Sequence, residues 1–150
     1  MTQPGAGPLH DAVTDLLASS EQRYTPHRRA LVQVVAAAGR PLTIPEILEG
    51  APEIPQSSAY RNVTGLVEAG VLRRIAGADD HCRFELAEAL AGHHHHLVCA
   101  SCGRVEDIAP QAGLERALGE AVRAVSRALG YEITQHRLDL EGLCPSCRPR

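Results

Sequence analysis

The sequence contains no tryptophan and no lysine, so all fifteen of its basic residues are arginine. Aromatic residues make up only 3% of the 150 residues and hydrophobic residues 44%, so any core must be built from Leu, Val, Ile and Ala. No run of about 18 apolar residues is present, which argues against a membrane span or a membrane partner. The first residues lack the basic region and long apolar stretch of a secretion signal, so we expect a cytoplasmic protein.

Five cysteines are present, and four of them form the Cys-x-x-Cys pairs Cys99/Cys102 and Cys144/Cys147. A gap of two residues lets both sulfurs of a pair bind one ion at about 2.3 Å, and four thiolates favour tetrahedral zinc. The alternatives are two disulfides or free thiols in the core, but a cytosolic chain favours metal binding. The spacing therefore predicts a structural zinc site that joins the beginning and the end of the second half of the chain.

Helical periodicity and turn residues predict four helices and a β-hairpin in the first half of the chain. The predicted helices are residues 9–22, Thr25-Pro26 to about Gly39, a short helix capped by Thr43, and Ser57 or Ser58 to Gly70. The predicted strands are 71–76 and 82–86, with a turn at 77–80. Helices followed by a hairpin are typical of a winged helix-turn-helix domain, and a generic helical domain with a hairpin is the alternative.

The second half is predicted to be a smaller α/β domain. Its predicted elements are strands at 97–98 and 105–108, a helix at 112–129 and a strand at 132–140. We therefore predict an α+β protein with a winged helix-turn-helix DNA-binding domain at 1–87, a hinge at 88–92 and an α/β dimerisation and metal-binding domain at 93–150. A strand–helix–strand unit this small has an exposed sheet edge, which pairing in a homodimer would bury.

Several segments, in order along nearly the whole chain, resemble the ferric uptake regulator family. They are Thr25-Pro26-His27-Arg28-Arg29, Ser57 to Val63, Arg83 to Leu86, His93 to Cys99, Cys102-Gly103, His136 and the pair Cys144/Cys147. The resemblance implies a dimeric bacterial repressor, similar to zinc uptake regulators, that binds DNA when loaded with metal. It also implies that the protein is not an enzyme.

The resemblance implies a recognition helix that begins near Ser57 and enters the major groove of a palindromic, double-stranded DNA operator. The expected DNA-binding residues are Arg28, Arg29, Ser57, Ser58, Tyr60 and Arg61. The alternative is that Tyr60 packs in the core and Arg61 is an ordinary solvated charge. Residues 1–90 carry eight Arg against eleven Asp and Glu, so DNA binding must depend on the local placement of arginine and fall strongly with salt.

The run His93–His96 supplies ligands that a closed four-thiolate site cannot use. Alternate side chains of an extended segment point to opposite faces, and the resemblance implies a sensor metal site formed by Glu85, His94, His96 and Asp107. Family members often carry a histidine before the third helix, but residues 39–42 contain none. Cys82 and His81 are the candidate replacements, the alternatives being a small buried side chain for Cys82 and an exposed turn residue for His81.

The opposite face of the histidine run is expected to form a third metal site from His93, His95, Glu115 and His136. A purification-like tag is the alternative for the run, and its internal position argues against that. The four histidines and the Cys82 thiol favour Zn²⁺ as the regulatory ion, with Fe²⁺ or Mn²⁺ open. We thus expect zinc-responsive control of metal uptake genes. An iron- or peroxide-responsive regulator is the alternative within the family, and a zinc buffer or zinc hydrolase without DNA binding is the alternative outside it.

Overall fold

The computed structural model describes residues 6–76 and 81–149. The first half has helices α1 (Ala6–Ser19), α2 (Pro26–Ala38), α3 (Ile44–Gly50) and α4 (Gln56–Glu68), then strands β1 (Leu72–Ala76) and β2 (Cys82–Leu86). After the short helix α5 (Glu88–Ala91), the second half has β3 (His95–Cys99), β4 (Val105–Ile108), α6 (Ala112–Leu129) and β5 (Asp139–Gly142). The predicted α+β architecture, with a helical first domain, a wing and a small α/β unit, is confirmed. The predicted turn at 77–80 lies outside the described residues.

The helix boundaries follow from capping residues. The Thr43 side chain accepts the Glu46 amide hydrogen at 3.4 Å, and the Glu46 carboxylate accepts the Thr43 amide hydrogen at 2.7 Å, which is a complete capping box. At the start of α2, the Thr25 side chain accepts the amide hydrogen of Arg28, without a reciprocal bond. The predicted serine cap of α4 is wrong, because Pro55 occupies that position without a side-chain bond. The serines at 57 and 58 therefore lie inside the first turn.

One hydrophobic core holds the first half together. Apolar side chains of α1, α2, α3, α4 and both hairpin strands form a single cluster that runs from Leu9 to Leu86. Leu42, in the loop before α3, exchanges two backbone hydrogen bonds with Phe84, at 2.9 and 2.7 Å, which docks the hairpin onto this core. The wing is therefore held in a fixed place relative to the helices.

The second half is built on a three-stranded sheet with the order β4–β3–β5. Strand β3 runs antiparallel to β4, with His96 opposite Asp107, and parallel to β5, with His96 opposite Asp139. The predicted strand at 132–140 is wrong over most of its length, because β3 begins only at His95 and offers no partner to residues before 138. Strands β4 and β5 are the edges of this sheet, as the open-edge argument requires.

Neither α6 nor α5 contributes a buried residue. All of α6 lies outside the core, although its apolar residues recur at spacings of three and four, and none of its residues is buried. Helix α5 occupies most of the segment that was predicted to be a hinge. No helix among the described residues is long and apolar enough to cross a membrane.

Candidate metal centres and nucleic-acid interface

Three groups of metal-ligand side chains are brought together in the described part of the chain. The groups are Cys99, Cys102, Cys144 and Cys147; His93, His95, Glu115 and His136; and Glu85, His94, His96 and Asp107. Within each group, one ligand atom from every residue lies within 4.8 Å of the others. We call them the cysteine cluster, the Glu115 cluster and the Glu85 cluster. Each reproduces four residues that were predicted together.

The cysteine cluster forms where the turn after β3 meets the end of the chain. The sulfurs of Cys102 and Cys144 lie 3.9 Å apart and all the cysteines are unbonded, so the disulfide alternative does not describe this structure. The backbone amide of Cys144 donates to the Cys99 sulfur at 3.3 Å. Amide hydrogen bonds from Cys144 and Cys102 lower the pKa of Cys99 to about 6, so this thiol is prepared to act as a thiolate.

The four thiols cannot all ionise without a cation. Ser101 acts to lower the pKa of Cys147, but the neighbouring thiols of Cys144 and Cys102 outweigh it and raise that pKa to about 11. A thiol with a lowered pKa beside a thiol with a raised pKa is expected when the two sulfurs are close, because ionisation of one opposes ionisation of the other. A bound Zn²⁺ removes the conflict, because it deprotonates thiols that coordinate it. The donor set therefore fits zinc.

The Glu85 cluster joins the wing to the second half of the chain. Glu85 lies on β2, and its Oε2 is 2.9 Å from Nε2 of His96, while its Oε1 is 3.3 Å from Nε2 of His94. Asp107 on β4 faces the same two nitrogens at 3.9 and 4.0 Å. Its Oδ1 is buried without a hydrogen-bond partner among the described residues. An atom with that environment fits a metal ligand, because a buried carboxylate oxygen normally has a partner.

The carboxylate and the imidazole rings of the Glu85 cluster shift one another's pKa values. Burial raises the pKa of Glu85, but hydrogen bonds from His94 and His96 outweigh it and lower that pKa to about 2. The same carboxylate holds the pKa of His94 above its ordinary value. Burial acts to lower the pKa of His96, yet Glu85 and Asp139 outweigh it and raise that pKa. Glu85 is thus the ionised carboxylate of the cluster, and it is shared by the two imidazole rings.

The predicted inclusion of Cys82 and His81 in this site differs from the geometry. The sulfur of Cys82 contacts the guanidinium of Arg74, with Nε at 2.9 Å, and lies outside the Glu85 cluster. Cys82 is three residues from Glu85, and an odd separation on a strand places two side chains on opposite faces. His81 is four residues from Glu85, about 13 Å along a strand, and exposed. Neither side chain is brought to the other four ligands.

The Glu115 cluster occupies the opposite face of β3. Three histidine rings surround one carboxylate: Nε2 of His95 lies 2.5 Å from Glu115, and Nε2 of His93 and of His136 lie 3.3 and 3.4 Å from it. The Nε2 atoms of His93 and His136 are buried but not aligned for a hydrogen bond with any described residue. Such converging, unsatisfied nitrogens fit a metal with histidine ligands. Glu115, in the first turn of α6, lies at the centre of the group.

Three charged residues at these clusters were not predicted from sequence. Arg73 on β1 lies directly opposite Glu85 in the hairpin and forms an ion pair with it. Glu88 on α5 accepts from Nδ1 of His93 at 2.7 Å. Asp139 accepts from Nδ1 of His96 at 3.0 Å, which orients that ring. Hairpin register would have identified Arg73, but the register depends on a turn whose form the sequence did not settle.

The predicted recognition helix presents a polar face to solvent. Its buried side, with Ala59, Val63 and Leu66, packs on the core. Tyr60 is 47% exposed, so it does not pack in the core as the alternative required. Arg61 and Ser57 are exposed beside it, and Ser58 is partly buried. The exposed face carries hydroxyl, phenol and guanidinium groups, which are the side chains that contact phosphates and base edges.

The two arginines of α2 that were predicted to bind DNA have different environments. Arg28 donates from Nε to the Asn62 side chain at 3.2 Å and from Nη1 to the Arg23 carbonyl at 3.0 Å. A side chain at Gly65 would collide with this guanidinium, since an added Cβ would lie 2.6 Å from Nη2. Arg29 is exposed, with its guanidinium 5.3 Å from the Tyr24 ring centre. Arg28 therefore holds α4 against α2, and Arg29 remains at the surface.

Comparison with known proteins agrees with this geometry. Residues 19–141 match the ferric uptake regulator family. The chain is 32% identical over 143 residues to the ferric uptake regulation protein of Bacillus subtilis, covering 91% of this chain and 93% of that protein. It is 26% identical to the peroxide-responsive repressor PerR of Staphylococcus saprophyticus, covering 95% and 93%. The structure of the Helicobacter pylori ferric uptake regulator Fur superposes with a TM-score of 0.78 at 19% identity, covering 100% and 99%. The chain therefore belongs to the ferric uptake regulator family of metal-responsive transcriptional regulators, which are not enzymes.

Proposed function

We propose that this protein is a metal-dependent, DNA-binding repressor that responds to zinc and controls genes for metal uptake. The observation that carries the proposal is the Glu85 cluster. One of its ligands comes from the wing and the other three come from the second half of the chain, with all four ligand atoms within 4.8 Å. A site of this kind makes the placement of the first domain, which carries the wing, relative to the second domain depend on the occupancy of the site.

The proposed regulation is a change of domain geometry. Glu85 and the two histidines, by sharing one ion, would fix the first domain (1–87) against the second (93–150) across residues 88–92. In a homodimer this would set the distance and angle between the two recognition helices, so that both can enter successive major grooves of a palindromic operator. Metal and operator affinity are then linked, because each favours the same arrangement.

The uncovered face of α6 supports the homodimer. Val125 and Leu129 on this helix are 46% and 67% exposed in the single chain. Leu114, Leu118 and Val122 lie on the same side at helical spacing, so the face is a continuous apolar stripe. A second copy of the chain would cover such a stripe, and an isologous contact of this kind is the commonest way in which soluble dimers form.

The DNA contacts are proposed to come from the exposed face of α4 and from α2. Tyr60 and Arg61 would reach the major groove, Ser57, Ser58 and Arg29 would contact phosphates, and Arg28 would support the helix from behind. The chain carries a formal net charge of -3, so affinity must come from these local groups. We expect it to fall strongly with rising salt concentration.

Some observations support zinc as the regulatory metal, and others support iron or manganese. Zinc is supported by a four-ligand set of two imidazoles and two carboxylates, all of which are ordinary zinc ligands. Iron or manganese is supported by the lack of a thiolate in the Glu85 cluster as described, since a sulfur ligand would have favoured zinc. The names of the relatives, a ferric uptake regulation protein and a peroxide-responsive repressor, point to iron and peroxide responses in those proteins.

The deciding experiment is a DNA-binding titration with a palindromic operator from the upstream region of the protein's own gene. The protein with added Zn²⁺ should bind tightly, and a chelator that strips the regulatory ion should weaken binding about 10- to 100-fold. Glu85→Ala should behave like the stripped protein. Glu106→Ala is the matched control, because Glu106 is exposed on β4 beside Asp107 and lies outside the cluster. Operator binding that ignores both the chelator and Glu85→Ala would overturn the proposal.

The choice among metals needs a separate measurement. Metal content per chain should first be determined, followed by titration of the Glu85 cluster with Zn²⁺, Fe²⁺ and Mn²⁺ under reducing and anaerobic conditions. Operator affinity at each ion's free concentration then identifies the effective regulator. Activation by Fe²⁺ or Mn²⁺ alone would replace zinc as the regulatory ion and leave the rest of the proposal in place.

A further inference from the structure

Arg73 lies inside the Glu85 cluster as a positive charge that belongs to the protein itself. Its Nε bonds to Oε1 of Glu85, and its Nη2 lies 3.3 Å from Nε2 of His94. The Arg73 side chain is 15% exposed, while those of Glu85 and His94 are 6% and 2% exposed. A guanidinium this deep in the cluster contacts two of the four residues that would bind a metal ion.

The His94 contact can serve Arg73 or an ion, but not both at once. Nδ1 of His94 donates to the backbone carbonyl of Gly92 at 2.9 Å, which assigns the proton of the neutral ring to that nitrogen. In that neutral ring, which is the form that binds a metal ion, Nε2 carries a single lone pair. That lone pair can accept a hydrogen from the Arg73 guanidinium or coordinate a metal. A divalent ion at this position would also repel the guanidinium through their like charges.

A second acceptor stands beside Arg73. Oε2 of Glu88 lies 3.7 Å from Nη1 of Arg73, and Glu88 is more exposed than Glu85, so a small rotation of the arginine side chain can change its partner. The other oxygen of the same carboxylate, Oε1, accepts from Nδ1 of His93. Nε2 of His93 points into the Glu115 cluster. Glu88 therefore contacts the residue that competes at one cluster and a ligand of the other.

We propose that Arg73 is a built-in competitor for the metal of the Glu85 cluster and that Glu88 is the acceptor to which its guanidinium moves when an ion binds. This rests on the proposed metal site at the Glu85 cluster and adds how its affinity is set. An ion on Nε2 of His93 fixes the Nδ1 proton toward Glu88 and so holds that carboxylate beside Arg73. Occupancy of the Glu115 cluster then favours occupancy of the Glu85 cluster, and the reverse also holds.

Whether Arg73→Met tightens or weakens metal binding distinguishes competition from the alternative, in which Arg73 only orients Glu85. If Arg73 only orients Glu85 as an outer partner, then Arg73→Met should weaken metal binding about 10- to 100-fold. If Arg73 competes with the ion, Arg73→Met should tighten it about tenfold or more, within the usual range of coupling between sites. Arg73→Lys keeps the charge but loses the two-pronged contact, and it should tighten binding less.

The measurement is competition for Mn²⁺ and for Zn²⁺ between a chromogenic chelator and the full-length protein, with the cysteine cluster already loaded. Arg74→Met is the matched control, because Arg74 is the next residue on β1 and its guanidinium contacts Cys82 on the other face. Its affinity should equal that of the unmodified protein. Thermal unfolding of each variant confirms that the hairpin is intact, and Arg73→Lys provides the test if Arg73→Met does not fold.

Glu88→Gln tests the second acceptor. It should weaken metal binding at the Glu85 cluster in the unmodified protein and have no effect in the Arg73→Met background, since there is no guanidinium left to move. An equal loss in both backgrounds would overturn the role of Glu88. Unchanged or weaker binding by Arg73→Met would overturn the competition while leaving the proposed function standing. Failure of the unmodified protein to bind any ion that Glu85→Ala removes would overturn both.

Discussion

The two halves of this chain are stabilised in different ways. Residues before 87 enclose a continuous hydrophobic core, in which Leu17, Leu31, Ile47 and Leu66 are fully buried. In the described chain beyond residue 92, the buried apolar side chains are Val98, Cys99 and Val105. The second half buries histidines where the first buries leucines. It therefore depends on ligands and on a partner for stability that the first half obtains from packing.

This difference explains how one chain can be both rigid and responsive. The helices that would contact DNA stand on a core whose burial is independent of metal. The elements that would set their spacing are held by charged and metal-ligating side chains, whose interactions change with the ion present. A regulator needs its sensitivity in the second group, because a core that responded to metal would unfold the DNA-binding surface as well.

The largest expected effect is the loss of the cysteine cluster. Replacing Cys144 and Cys147 together with Ser should remove one Zn²⁺ per chain and unfold the second half, because a structural zinc site contributes on the order of 10 kcal/mol. Unfolding followed by circular dichroism and hydrogen exchange should then show protection retained only in residues before 87. The control variant Cys82→Ser should still bind one Zn²⁺ per chain and unfold in a single transition. Loss of protection in both halves together would contradict the comparison.

The next effect concerns the apolar stripe of α6. Val125→Glu should raise the dimer dissociation constant about 100-fold or more, since an unpaired carboxylate would be buried in the contact. Analytical ultracentrifugation measures the change. Arg123→Glu on the opposite side of the same helix is the control and should leave the dimer intact. A dimer unaffected by Val125→Glu would move the interface to a sheet edge at β4 or β5.

Much of the site could be predicted because its spacing is local. The cysteine pairs each reach one ion from a single turn, and alternation along one extended segment separates His93 and His95 from His94 and His96 without knowledge of the fold. Asp107 was assigned from the family resemblance, and the structure brings it to His94 and His96 because β4 follows β3 through a short turn. For the cysteine pairs and the histidine run, the geometry within a few residues determines which side chains meet.

The misses involve pairings that depend on distant parts of the chain. Arg73 meets Glu85 only through the hairpin register, and Asp139 meets His96 only through parallel pairing of β5 with β3. The strand predicted at 132–140 failed for the same reason, because β propensity does not reveal where the partner strand ends. Cys82 was predicted as a ligand from the chemistry of its thiol, whereas strand alternation places it on the face opposite Glu85, where it contacts Arg74.

Within the first half, Arg28 and Arg61 should separate support of the recognition helix from contact with DNA. Arg28→Met removes the bonds to Asn62 and to the Arg23 carbonyl and should lower the free energy of unfolding by about 1–2 kcal/mol. Arg61→Met should leave that free energy unchanged, weaken operator binding and reduce its salt dependence by about one counterion. Urea unfolding and fluorescence anisotropy measure the two quantities. Arg28→Met with unchanged stability but a reduced salt slope would identify Arg28 as a phosphate contact instead.

The smallest expected effect tests whether a charged side chain contributes to the stability of the first half. Burial raises the pKa of Glu46, but the Thr43 amide and the Arg40 guanidinium outweigh it and hold that pKa below its ordinary value of 4.5. A carboxylate whose pKa is lowered by folding stabilises the protein above its unfolded pKa, and that contribution is lost as the pH falls. Glu46→Gln should therefore cost about 0.5–1 kcal/mol at pH 7 and progressively less below about pH 4. The control variant Glu49→Gln, on the same helix but outside the capping box, should leave the free energy of unfolding unchanged both at pH 7 and below about pH 4. If Glu46→Gln has the same cost at both pH values, the capping box acts through hydrogen-bond geometry alone, and the first half owes nothing measurable to this charge.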